Sequence, residues 1–252
     1  MPSRYDERVV GAGVVYAHTQ SIPTILIVLV HGLNCRSINE YWSNIPVLMI
    51  NGFFPPVDVY VWKYHTNINI FENARSILFR TRKLAEPSRV GKALLDDLHY
   101  LPSELERTEY DAVILLGHSQ GGVVVIEAAF ENIKSERLLP ITKVCAASAP
   151  TRPNRFAQVH NLLGMGQNAQ TRVLSSNNEF SALVRDKLPI IRKHCTTCYI
   201  ESINDEVLEQ DQDTTLFHHT LTIQCEHNWP SSVDQSTHPG FQRICQFVEM
   251  GE

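Results

Sequence analysis

The sequence lacks any long hydrophobic run. Its longest apolar stretch, from Ile25 to Val30, has six residues, whereas a membrane-spanning helix needs roughly 20. The N-terminal residues carry charge and are followed by no apolar segment, so no secretory signal peptide is visible. We therefore expect a cytoplasmic protein without a transmembrane segment.

Charge is also scarce, and neither sign is in large excess. Charged residues make up 19% of the 252 residues, compared with about 25% in typical domains. The formal net charge is -5 and the pI is near 6.1, which argues against a nucleic-acid partner, because such proteins carry a basic stripe. With 43% hydrophobic residues, the composition is that of a globular protein and excludes a disordered chain.

Linkers rich in glycine, serine or proline are absent, and so are internal repeats. Since α/β folds of about 250 residues commonly form one domain, we expect residues 1–252 to form a single α/β domain. The atypical stretch is 152–193, which mixes helical pieces with polar loops between two predicted strands. Two interpretations of this stretch stay open, a lid over a pocket and an elaborated crossover packed against the core.

Short apolar runs, rich in β-branched residues, indicate strands buried on both faces of a parallel sheet. The clearest runs are 24–30, 57–62 and 112–116, and weaker ones follow at 141–147, 196–200 and 219–225. Helical periodicity lies between them, for example over 90–101 and 241–248, and Trp42, Ile45 and Met49 mark a further helix. Strands that alternate with helices predict an α/β fold with a doubly wound, mostly parallel sheet.

Residues 117–121 read Gly-His-Ser-Gln-Gly, a G-x-S-x-G motif between a predicted strand and a helical pattern. In this context the motif is typical of a nucleophile elbow, a tight turn that exposes the serine hydroxyl at a helix N-terminus. A phosphate-binding loop is disfavoured because no lysine follows the glycines. Ser119 is therefore the candidate nucleophile.

Acyl transfer to a serine also needs backbone N–H donors that bind the oxyanion of the tetrahedral intermediate. In an elbow architecture, one donor is the residue after the nucleophile and the other lies in the loop after an earlier strand. Gln120 follows Ser119, and His31-Gly32-Leu33 follow the strand predicted at 24–30. We therefore predict an oxyanion hole formed by the N–H groups of Gln120 and Leu33.

A serine nucleophile requires a histidine base and a carboxylate that orients it, which follow the serine in the order acid, then histidine. Asp205 is the preferred acid because it lies in the loop directly after the strand predicted at 196–200. Three other acids are less well placed. Asp186 falls within a predicted helix, and Asp211 and Asp213 belong to a polar run.

Four histidines compete for the role of base, namely His218, His219, His227 and His238. The first two open the last predicted strand, whereas sites in open parallel sheets lie at the carboxyl ends of the strands. His227 follows the carboxyl end of that strand, and His238 directly precedes Pro239 at the start of the last predicted helix. We favour His227 and keep His238 as the alternative.

With these residues placed, the sequence resembles the α/β-hydrolase superfamily and, within it, the serine-esterase, lipase-like branch. The resemblance rests on VLVHGL at 28–33 with Trp42, VYVWKYHT at 59–66, the helix, strand and elbow of 93–125, and the spacing from His227 to Phe241. It covers about 24–150 and 196–249 and leaves 152–193 unmatched. It implies a hydrolase that cleaves a small-molecule or lipid acyl ester through an acyl-enzyme.

Two other functions stay open. The same triad can act on a thioester or an amide, and a hydrolase fold that has lost activity can serve as a binding module. Zinc is disfavoured, because Cys195 and Cys198 lie at the start of one predicted strand whereas Cys225 and His227 lie at the end of its neighbour, about 10–15 Å away. Because water breaks down an acyl-enzyme, we expect the reaction to need neither a cofactor nor a metal.

Overall fold

The computed structural model describes residues 5–32, 35, 37–53, 55–64, 87–107, 109–136, 138–151, 184–208 and 212–250. Its strands are β1 (Tyr5–Val10), β2 (Gly13–His18), β3 (Ile25–Val30), β4 (Val57–Trp62), β5 (Ala112–His118), β6 (Ile141–Ala147), β7 (Thr196–Ser202) and β8 (His219–Ile223). They form one sheet in the order β1-β2-β4-β3-β5-β6-β7-β8. The six strands β3 to β8 run parallel to one another. β1 and β2 pair in antiparallel fashion, and β2 is also antiparallel to its other neighbour, β4. The prediction of a mostly parallel sheet is confirmed.

Helices cover both faces of this sheet. They are α1 (Ile38–Trp42), α2 (Ile45–Gly52), α3 (Pro87–Glu104), α4 (Gln120–Lys134), α5 (Leu188–Ile191) and α6 (Pro239–Glu249). Residues of α3, α4 and α5 share one core with Val28, and residues of α1, α2 and α6 share the other core with Leu29. Because successive strand residues point to opposite faces, β3 is apolar throughout and buried on both sides. Among the described residues, no helix combines the length and the apolar character that a membrane crossing requires.

The region around Trp42, predicted as one helix, forms two. Ser43 has a φ of 45°, in the left-handed region, and this turn separates α1 from α2. Trp42, Ile45 and Met49 are all fully buried. Their spacing therefore reflects the packing of two short helices against the sheet, which a periodic pattern alone does not distinguish from one longer helix.

Residues 152–183, most of the atypical stretch, lie outside the described residues, so the lid and crossover interpretations both stay predictions. The described end of the stretch carries α5, and an ion pair joins it to α4. Lys187 Nζ lies 2.6 and 2.8 Å from the two carboxylate oxygens of Glu127. The Glu127 side chain is fully buried, so this pair ties the returning chain to the helix that begins after Ser119.

His31 follows β3 directly and is fully buried. Its Nδ1 lies 2.7 Å from the carbonyl oxygen of Gly32, which can only accept, so Nδ1 carries the proton. Nε2 then accepts the backbone N–H of Tyr64 at 3.2 Å, and the Tyr64 ring stacks on the imidazole at 4.6 Å. Burial lowers the pKa of His31 to about 4. The ring is therefore neutral near neutral pH and holds the end of β3 in place.

This buried histidine makes the protein less stable in acid. Below the ordinary histidine pKa of 6.5 the unfolded chain binds a proton at His31, whereas the folded ring stays mostly neutral until the pH approaches 4. We expect His31 alone to reduce the free energy of unfolding by about 2.5 kcal/mol between about pH 7 and about pH 4.5. Urea unfolding of wild type and His31→Gln at the two pH values measures this difference.

His219→Gln is the matched control, because His219 is exposed at the start of β8. This variant should lose as much stability on acidification as the wild type does. An equal pH dependence in wild type and His31→Gln would show that His31 does not resist protonation in the folded protein.

Candidate active site

Ser119 occupies a strained turn between β5 and α4. Its φ is 55° and its ψ is -127°, a conformation that non-glycine residues rarely adopt. The two glycines of the motif make the turn possible. A Cβ on Gly117 would overlap the carbonyl group of Gly121, and a Cβ on Gly121 would overlap the carbonyl oxygen of Val30. The turn therefore requires glycine on both sides of Ser119, as a nucleophile elbow does.

The Ser119 hydroxyl is hydrogen-bonded to His227. Ser119 Oγ lies 3.0 Å from His227 Nε2, and His227 Nδ1 lies 2.7 Å from Asp205 Oδ2. When the ring carries one proton, the carboxylate holds it at Nδ1, and Nε2 is left to accept from the Ser119 hydroxyl. The imidazole is thus in the tautomer that can receive a proton from the serine.

Asp205 is held by both of its carboxylate oxygens. While Oδ2 faces His227, Oδ1 accepts the backbone N–H groups of Val207 at 2.9 Å and Leu208 at 2.8 Å. The Asp205 side chain is 6% exposed and that of His227 is 10% exposed, so little solvent competes for their hydrogen bond. Asp205 therefore has one orientation, and it fixes that of the imidazole.

The parallel sheet explains why these three residues meet. Ser119 follows β5, Asp205 follows β7 and His227 follows β8, all at carboxyl ends of strands. The carboxyl ends of parallel strands lie at the same edge of a sheet. Residues 108 positions apart in sequence, such as Ser119 and His227, thus come within hydrogen-bonding distance.

The alternative acids and bases lie elsewhere. His238 is the N-cap of α6, where its Nδ1 accepts the backbone N–H of Gly240 at 3.2 Å. The Nδ1 of His218 accepts the backbone N–H of Thr197 at 3.1 Å. Asp213 forms an ion pair with Arg185 at 2.7 Å, and Asp211 lies outside the described residues. None of these described alternatives hydrogen-bonds to Ser119 in the structure.

Only one side of the predicted oxyanion hole lies within the described residues. Gln120 is the first residue of α4, so its N–H has no intrahelical acceptor and is available at the helix N-terminus. The N–H of Gly32 is already used, because it donates to Tyr41 Oη at 2.8 Å. Leu33, the second predicted donor, lies outside the described residues, and its role stays a prediction.

Two residues beside the site, the buried His118 and the partly buried Tyr41, are not anticipated by the sequence analysis. His118 Nδ1 lies 2.5 Å from Tyr41 Oη, and His118 Nε2 lies 2.8 Å from the carbonyl oxygen of His227. His118 occupies a variable position of the G-x-S-x-G motif, and Tyr41 lies 77 residues away in α1. A histidine immediately before Ser119 is the one sequence feature that points to this contact.

The described residues offer no metal site. Within the ranges given above, no group of three or more histidine, cysteine, aspartate or glutamate side chains is arranged to hold a metal ion. Cys195 is partly buried near the start of β7, and Cys225 is partly buried beyond the end of β8. The site contains a hydroxyl, an imidazole and a carboxyl group that are hydrogen-bonded in series.

Comparison with known proteins gives a likeness in structure and none in sequence. No protein-family model matches the chain, and no curated protein sequence is similar to it. Among solved structures, the chain is similar to the peroxisomal α/β-hydrolase Lpx1 of Saccharomyces cerevisiae, with 10% identity and a TM-score of 0.63. The match covers 95% of this chain and 83% of Lpx1.

Two further structures share the architecture. Phospholipase PlaB from Legionella pneumophila is 10% identical with a TM-score of 0.66, over 90% of this chain and 59% of PlaB. The esterase domain of a Rhodothermus marinus protein is 13% identical with a TM-score of 0.53, over 94% of this chain and 92% of the domain. At these identities the likeness concerns the fold. The chain has the α/β-hydrolase fold, as the resemblance in sequence implied.

Proposed function

We propose that this protein is a serine hydrolase that cleaves a carboxylic ester through Ser119, His227 and Asp205. The observation that carries the proposal is the continuous series of hydrogen bonds from Ser119 Oγ through the His227 ring to Asp205. The series lies at the carboxyl edge of a parallel sheet, where α/β enzymes have their sites. Its donors and acceptors have the directions that proton transfer from serine requires.

In the proposed reaction, Ser119 Oγ attacks the carbonyl carbon of the ester while His227 Nε2 takes the hydroxyl proton. Asp205 holds the imidazole and stabilises its charged form. The N–H groups of Gln120 and Leu33 bind the oxyanion, each donor contributing about 3 kcal/mol to transition-state binding. His227 then gives its proton to the leaving alcohol, and water hydrolyses the acyl-enzyme by the same steps. No cofactor is needed.

We prefer an ester as the substrate because several structural neighbours are named as ester hydrolases. They include an esterase domain and a phospholipase, which support a small-molecule or a lipid acyl ester. A thioester or an amide is the alternative substrate of the same triad. A panel of acyl substrates that differ only in the leaving atom, oxygen, sulfur or nitrogen, distinguishes these classes.

Labelling with a fluorophosphonate probe, which reacts with activated serines, tests the nucleophile and the base. We expect wild type to be labelled and Ser119→Ala to be unlabelled, because the reacting oxygen is absent. His227→Ala should react more slowly than wild type by at least about 1,000-fold, because His227 is the only described side chain that is hydrogen-bonded to the Ser119 hydroxyl. In-gel fluorescence over time gives the rates.

His238→Ala is the matched control for the base, since the ring nitrogens of His238 face the backbone N–H of Gly240 and the hydroxyl of Ser232, not Ser119. This variant should be labelled at the wild-type rate. If His227→Ala is still labelled and His238→Ala is not, His238 is the general base. A folded wild type that reacts with no probe would instead favour a catalytically silent module.

The role of Asp205 is tested by Asp205→Asn, which keeps the size of the side chain. An amide in this place favours the wrong imidazole tautomer, so kcat should fall by about 10,000-fold. Asp213→Asn is the control, because Asp213 pairs with Arg185, whereas His227 faces Asp205. Steady-state hydrolysis of a p-nitrophenyl ester measures both variants, and a wild-type kcat in Asp205→Asn would contradict the assignment.

A further inference from the structure

His118 is a second histidine at the site, and it is completely buried. It ends β5 and precedes Ser119 in the chain. A buried imidazole must have its polar atoms hydrogen-bonded, because water is not available to them. Both nitrogens of His118 are satisfied, one by the hydroxyl of Tyr41 and the other by the backbone carbonyl of His227.

The direction of each hydrogen bond follows from the chemistry of the partners. The His227 carbonyl can only accept, so His118 Nε2 donates to it. Burial and the neighbouring His227 lower the pKa of His118 well below its usual value, so the ring is neutral and Nδ1 accepts the Tyr41 hydroxyl proton. Tyr41 Oη in turn accepts the N–H of Gly32 at 2.8 Å. These three hydrogen bonds form one continuous path from Gly32 through Tyr41 and His118 to the carbonyl of His227.

The His118 ring in this path is packed between two tryptophan rings. Trp42 and Trp229 contact the His118 ring edge to face, with centroid distances of 6.4 and 5.9 Å. Trp229 is itself anchored, since its Nε1 donates to Ser148 Oγ at 3.3 Å. Trp42 is fully buried and Trp229 is 2% exposed. The His118 ring is therefore held between two buried indole rings.

The two ends of the path lie in the two loops that the proposed reaction uses. Gly32 immediately precedes Leu33, the predicted second oxyanion donor, and His227 is the proposed base. We propose that Tyr41 and His118 are positioning residues that hold these two loops at a fixed separation across Ser119. This inference rests on the proposed function and goes beyond it, because it assigns a role to residues that do not contact the reacting atoms.

His118 cannot itself be the base. Its two nitrogens are both occupied, and the path leaves no lone pair for the Ser119 hydroxyl. The effect of His118 on catalysis must therefore act through His227 and Gly32. Misplacement of such groups by about 1 Å can reduce a rate by about 100-fold, and it should affect the transition state more than ground-state binding.

Tyr41→Phe is the most direct test, because it removes one oxygen and retains the ring. The proposal predicts that kcat per active site falls by about 10- to 100-fold while KM changes less than about twofold. Active sites are counted by titration with the fluorophosphonate probe, so that unfolded molecules do not contribute. Tyr110→Phe is the matched control. It also removes a buried tyrosine hydroxyl, which donates to Asp58 at 2.8 Å at the start of β4, and it should keep the wild-type kcat.

A second pair of variants tests His118 directly. The amide of His118→Gln can still donate toward the His227 carbonyl, whereas His118→Ala cannot, so His118→Gln should retain at least about tenfold more kcat per active site. Thermal unfolding of both variants verifies that they fold.

The outcomes separate this inference from the proposed function. If wild type is labelled and Tyr41→Phe has the same kcat per active site as Tyr110→Phe, the positioning role is overturned and the hydrolase assignment stands. The role is also overturned if Tyr41→Phe only lowers the number of active sites, because that result indicates a purely structural tyrosine. An unreactive, folded wild type overturns the hydrolase assignment and this inference with it.

Discussion

The strained backbone of Ser119 is the constraint on which the rest of the site depends. A non-glycine residue at a φ of 55° costs about 1–3 kcal/mol, so it persists only where the surroundings hold it. The surroundings here are the central strands and α4. The Ser119 N–H donates to the carbonyl of Ala147 at 2.9 Å, which extends the pairing of β5 and β6 into the turn. Gly121 lets α4 approach Val30 at the end of β3. The strain and the close packing together place the hydroxyl at the edge of the sheet.

Burial assigns different roles to the three histidines around this turn. His31 and His118 are fully buried, and burial lowers the pKa of each, so that both are neutral parts of the framework. Both ring nitrogens of each are hydrogen-bonded, those of His31 to two backbone groups and those of His118 to the His227 carbonyl and the Tyr41 hydroxyl. His227 differs, because its Nε2 faces a hydroxyl and its Nδ1 faces a carboxylate. Only this third ring combines a free lone pair at Ser119 with a counter-charge for the proton that it would receive.

The parts of this structure that the sequence predicts are those set by local pattern or by a rule about strand ends. The sequence predicts the buried strands β3, β4 and β5 and the turn at Ser119. Strand burial requires a short apolar run, and the turn requires glycines, so that both are visible within a few residues. Asp205 and His227 were selected by chain order and by their place after strands, and the structure brings their side chains together. Their catalytic role is a proposal.

What the sequence could not predict depends on contacts between distant residues. The region around Trp42 divides into two helices because Ser43 has a positive φ. Since Ser43 is not a glycine, the sequence does not indicate this turn. The hydrogen bond between Tyr41 and His118 spans 77 residues and has no periodic pattern. His238, the alternative base, directly precedes Pro239 at the start of the last predicted helix, and its side chain caps α6. Such choices are made by tertiary packing, which only a structure reveals.

The proposed reaction requires a covalent acyl intermediate on Ser119. Acid quenching during hydrolysis of a p-nitrophenyl ester, followed by proteolysis and mass spectrometry, tests it most directly. A Ser119 acyl-enzyme predicts one acyl group per chain, on the peptide that contains Ser119, and its disappearance once the ester is consumed. Hydrolysis of the ester with no acylated peptide, or with the acyl group on another residue, would rule out this intermediate.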